Sequence, residues 1–141
     1  MMLLLVLVAC APPPLPAVDD TPSIQITWPP PESDVTGCET VSVTVKNFDL
    51  VEFPSTDDNA EGEGHYHIVH PNGYEPCYKP FCLVDLTGLE STTEPFFTAT
   101  LNYTDHTEVL IDGVRIEHQI PINFIPGGDC ATGGGDTGGE Y

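Results

Sequence analysis

The sequence predicts an all-β protein, a single antiparallel β-sandwich between a Pro-rich spacer and a Gly-rich tail. Three observations carry that prediction. Apolar and polar residues alternate with period two in several short runs, and no segment shows a 3.6-residue period. The runs are rich in β-branched and aromatic residues and are bounded by Gly, Pro, Asn or Asp. Finally, 15 Pro and 13 Gly among 141 residues punctuate the chain too often for long helices.

In order, the predicted strands begin with SIQITW, where Ile24, Ile26 and Trp28 alternate, and TVSVTVK, where Val41, Val43 and Val45 alternate. In GHYHIVH, His65, His67 and Val69 share one face, and Tyr66, Ile68 and His70 the other. CLVDL, FFTATLNY and VRIEHQIPINF follow, and Pro121 within the last predicts an edge or a bulge. Six or seven such strands over residues 23–126 suit a sandwich with one small core.

The flanks differ in kind. Residues 11–31 hold eight of the 15 prolines, and within the segment 10–22 residues 11–22 read as an extended spacer able to reach ~37 Å. Residues 127–141 hold seven of the 13 glycines and read as a flexible tail. Residues 1–9 end in Leu7-Val8-Ala9 before Cys10, after an apolar run far shorter than a membrane span. This pattern resembles the lipobox of bacterial lipoproteins. The resemblance implies removal of residues 1–9, acylation of Cys10, and attachment to a membrane of the cell envelope, with Ala11 favouring the outer one. Unlike most such signals, this one has no Lys or Arg near its start.

Asp and Glu number 22 against three Lys and Arg, a formal net charge of −19. Such a chain cannot neutralise phosphates, which excludes nucleic acid as a partner and disfavours an anionic membrane surface. A lipid on Cys10 would anchor it regardless of charge.

Setting Cys10 aside leaves four cysteines, an even number in a chain read as exported, and hence two disulfides. Cys77 and Cys82 flank a turn-like stretch and suit a local bridge. Cys38 and Cys130 bracket the domain and would tie its ends together.

The sharpest local feature is GEGHYHI. His65 and His67 project from one strand face, two residues apart, and His106 in Thr104-Asp105-His106-Thr107 ends a later strand. Three neutral imidazoles with an open position suit copper or zinc. GEGHYHI, LTGL and FFTATLNYTDH together resemble a group of uncharacterised bacterial exported domains. These carry Gly-His-x-His on one strand and Asp-His after another. The resemblance spans about residues 23–125 and implies an immunoglobulin-like sandwich, often in lipoproteins or periplasmic proteins. Here His70 stands where the group often has an acidic residue, and the Cys77–Cys82 loop reads as an insertion.

Other chemistries find little support. A superoxide-dismutase-like two-metal site needs more imidazoles and guiding arginines than five His and Arg115 supply. No G-x-S-x-G surrounds Ser42 or Ser91, and nothing selects a catalytic pair of carboxylates. Glu52, Asp57, Asp58, Glu61 and Glu63 lack the EF-hand spacing and read as a solvated loop. The expectation is therefore a non-catalytic envelope lipoprotein. Its sandwich would act as a scaffold or binding domain for an unidentified envelope partner. The alternative is an extracytoplasmic copper- or zinc-binding module using His65, His67 and His106.

Overall fold

A computed structural model describes residues 20–52 and 59–130. Cys10, expected as a lipid site, most of the Pro-rich spacer, Asp57, Asp58 and residues 131–141 lie outside that range.

The described residues form an all-β sandwich of eleven strands. These are β1 (Ser23–Trp28), β2 (Ser33–Val35), β3 (Cys38–Lys46), β4 (Asp49–Leu50), β5 (Glu63–His70), β6 (Gly73–Cys77), β7 (Phe81–Asp85), β8 (Phe96–Asn102), β9 (Leu110–Ile111), β10 (Val114–Arg115) and β11 (Glu117–Phe124). One sheet has the order β1-β3-β7 and is antiparallel throughout. The other runs β2-β11-β8-β5-β4, with β6 also paired to β5, and β9 and β10 form a separate two-stranded ribbon.

The period-two pattern is what fills the core. Ile24, Ile26, Val41, Val43 and Val84 point inward from the first sheet, and Tyr66, Ile68, Phe97, Ala99, Leu101, Ile120 and Ile122 meet them from the second. Tyr66 is fully buried, and its hydroxyl donates to the Lys79 carbonyl at 2.7 Å, so the buried phenol has a partner.

Three details depart from the period-two reading. β2 pairs with β11, and β4 with β5, in parallel, each over two or three residues. Pro121 marks neither an edge nor a bulge: β11 pairs with β8 up to Pro121 and with β2 from Ile122. A residue without an N–H thus sits where the strand changes partners. Trp28, expected on the face of Ile24 and Ile26, turns outward after a register shift and is more than half exposed. In keeping with the pattern, His118 joins the two sheets, its Nδ1 accepting from the Ile26 amide at 3.2 Å.

The cysteines form Cys38–Cys130 and Cys77–Cys82, with Cα separations of 4.7 and 5.8 Å. The first fastens the chain after β11 to the start of β3. The second staples β6 of the larger sheet to β7 of the smaller.

Candidate metal centre

The face of β5 opposite Tyr66 and Ile68 carries His65 and His67, and β8 presents Asn102 and Thr100 beside them, in the register His65↔Asn102 and His67↔Thr100. Gly64, just before His65, makes that approach possible. A Cβ there would strike the Asn102 carbonyl oxygen and crowd Phe48 Cζ at 3.0 Å and Tyr103 Cα at 3.1 Å. The glycine of Gly-His-x-His thus has a steric reason to be glycine.

After β8 the chain turns back over this face. The His106 amide donates to the Tyr103 carbonyl at 3.0 Å, and the Tyr103 amide to the Thr107 carbonyl at 2.8 Å. Asp105 Oδ1 accepts from the Thr107 amide and hydroxyl at 2.8 and 2.6 Å. Asn59 Oδ1 accepts from the Thr104 hydroxyl and the Asp105 amide. This closed turn holds His106 at φ 66°, a left-handed conformation that His adopts more readily than most side chains.

The turn brings the third imidazole onto the first two. His65 Nε2 lies 2.9 Å from His67 Nε2 and 3.2 Å from His106 Nδ1, and His67 Nε2 lies 3.1 Å from His106 Nδ1. These nitrogens form a nearly regular triangle. An ion held by three imidazoles at ~2.0–2.1 Å sets their nitrogens about 2.8–3.4 Å apart, so the spacing is that of a ligand set. Hydrogen bonding alone cannot satisfy it. Each nitrogen of a neutral imidazole either donates or accepts, so at least one of the three contacts must oppose two protons or two lone pairs.

The rings are graded in exposure: His65 is buried, His67 half-buried and His106 exposed. Desolvation, then the neighbouring imidazoles His67 and His106, pushes the pKa of His65 down to about 4. Desolvation, then His106, pushes that of His67 down to about 4. Both therefore stay neutral, as ligands must be, well below neutral pH. The Tyr74 ring, itself mostly exposed, leans on His67 with centroids 4.9 Å apart and walls one side of the group.

His65, His67 and His106 could thus hold one metal ion. Among the described residues, the only other such group is Cys38, Asp85 and Cys130, whose thiols are joined in a disulfide. Glu52, Glu61 and Glu63 join no such group. The two remaining histidines serve elsewhere. His118 bridges the sheets. His70 faces inward at the end of β5, where its Nδ1 accepts from the Asn72 amide. Its buried Nε2 has no partner among the described residues. Asn102 begins an Asn-x-Thr triplet but is 3% exposed, with its amide engaged inside the fold, so it is no glycosylation acceptor in the folded chain.

Sequence spacing identified the three imidazoles but not their supports, Asn102, Asn59 and Tyr74. The Asp105-x-Thr107 pattern, which favours a closed turn, was the available hint. No protein-family profile, curated protein or solved structure matches the chain.

Proposed function

We propose that this protein is an extracytoplasmic metal-binding module, lipid-anchored through Cys10, that holds copper(II) or zinc(II) on His65, His67 and His106. The observation that carries this reading is the triangle of imidazole nitrogens 2.9–3.2 Å apart. A cation accepts all three lone pairs at once and removes the conflict that neutral rings cannot avoid. Two disulfides suit an oxidising compartment, as the lipobox reading requires. Binding rather than catalysis is the role we assign.

Calorimetric titration of the full-length oxidised protein with Cu(II) and Zn(II) tests the proposal, with a His65→Ala/His67→Ala variant checked for fold by circular dichroism. One ion bound per chain, lost in the folded variant, supports it. Equal binding by both proteins, or by neither, overturns it.

A second reading, an envelope scaffold that docks a protein partner, draws on the outer face of β1-β3-β7. Trp28 and Phe81 both pair with Ser42, Leu83 pairs with Thr40, and all three large side chains are more than half exposed. Loss of partner capture on Trp28→Ser/Phe81→Ser, with metal binding intact, would favour it.

A further inference from the structure

We infer that Asn102 is the positioning residue of the three-imidazole site, an inference that rests on the metal reading above. Asn102 touches each half of the site in a different way. Its backbone is the register partner of His65 on the neighbouring strand. Its side-chain Nδ2 donates to the His106 carbonyl at 3.2 Å, spanning the turn from the last residue of β8 to the ligand. Its Oδ1 accepts from the Thr100 hydroxyl at 3.1 Å, which fixes the orientation of the amide and therefore which end faces His106.

The surroundings make this arrangement stiff. Asn102 and Thr100 are 3% and 4% exposed, so the bond that orients the amide is shielded from bulk water, and the bond to His106 is shielded on its donor side. Gly64 lets β5 approach the Asn102 carbonyl closely, so the His65 backbone cannot drift from Asn102 without breaking the sheet. His106 sits on an exposed turn in a left-handed conformation, outside the strands themselves. The Asn102 amide is the buried link that converts strand register into the position of His106 Nδ1 relative to His65 Nε2. Removing it loosens the tie between the turn that carries the third ligand and the strand register that places the first two.

The test is a double-mutant cycle on the full-length protein, with Asn102→Ala and His106→Ala alone and combined, and Cu(II) and Zn(II) affinities measured by competition with a chelator. Asn102→Ala is expected to weaken binding by about 10–100-fold, the range for lost supporting hydrogen bonds around metal ligands. In the His106→Ala background the same substitution is expected to have no further effect. The Cu(II) electron paramagnetic resonance spectrum should shift from three coupled imidazole nitrogens to two. Thr100→Val, which keeps the side-chain shape and removes only the hydroxyl that orients the amide, should weaken binding in the same direction. It decides the matter if Asn102→Ala does not fold. An equal loss in both backgrounds would reduce Asn102 to a generic structural role and overturn the inference, as would unchanged affinity in both Asn102→Ala and Thr100→Val. If the wild-type protein binds neither ion, the metal reading itself fails, and this inference with it.

Discussion

His65 Nε2 and His67 Nε2 lie 2.9 Å apart on one strand face, closer than two lone pairs tolerate without a proton or a cation between them. Their partner, His106, comes from a turn 39 residues beyond His67. The strand sets the first pair, and the turn sets the third ligand. The site is therefore a product of sheet register plus turn chemistry, and each can be perturbed separately.

The depressed pKa values give the metal-free protein a pH signature. His65 and His67 titrate near 6.5 when unfolded and are pushed down to about 4 in the fold, chiefly by desolvation. Between those values the unfolded chain binds more protons, so stability is full above about pH 6.5 and falls as pH drops toward 4. His70, also lowered by burial, acts in the same direction. Denaturant midpoints measured at pH 7.0, 5.5 and 4.5 should decrease in that order, and His65→Ala/His67→Ala should flatten the trend. An unflattened trend in the folded variant would assign the pH dependence to other groups.

Gly64→Ala should break the fold locally rather than tune it. The added methyl meets a backbone oxygen of β8, which cannot swing aside as a flexible side chain would. A loss of about 3 kcal/mol or more is expected, in the range of overpacking combined with backbone strain. Gly62→Ala is the control, since its Cβ position is empty although its φ of 80° adds some strain. The two variants compared by thermal denaturation should differ by several degrees, with Gly64→Ala the less stable and the only one to lose tight metal binding.

The core was legible because alternation decides which side chains face inward: Ile24, Ile26, Val41 and Val43 follow it, and Trp28 departs from it where the register shifts after Ile26. The His65–His67 pair was legible for the same reason. What period two does not encode is which strands become neighbours over long separations. The parallel pairings of β2 and β4, and the change of partner at Pro121, depend on register rather than hydrophobicity. Asn102 reads in sequence as the polar end of an apolar strand. Its role emerges only when the 103–107 turn folds back and buries it.

Occupancy by metal should raise stability by mass action. At free Zn(II) a hundredfold above Kd the gain is about 2.7 kcal/mol, worth roughly 10 °C or more in a domain of this size. Thermal denaturation with and without Zn(II) should show that shift in the wild type and lose most of it in His106→Ala. The His106 side chain is exposed, so its removal should leave the metal-free midpoint within a few degrees. A shift that persists undiminished in His106→Ala would place the ion elsewhere.

The two disulfides should separate stability from binding. Cys38–Cys130 joins residues 92 apart, and in the chain-entropy model such a loop contributes about 4–5 kcal/mol. It lies at the start of β3 and the end of the described chain, away from the imidazoles, so Cys38→Ala/Cys130→Ala should lower the unfolding midpoint strongly and leave metal affinity unchanged. Cys77–Cys82 spans only five residues and contributes about 2 kcal/mol on the same reckoning. Yet it anchors β6, whose Pro76 opposes His67 and whose Tyr74 ring rests on the His67 imidazole. Cys77→Ala/Cys82→Ala should therefore cost less stability but weaken Zn(II) binding several-fold, because the wall that restrains His67 is loosened. Chemical denaturation and metal competition on both variants check the crossed pattern. If affinity instead followed stability in the two proteins, the site would depend on the fold as a whole rather than on the β6 staple.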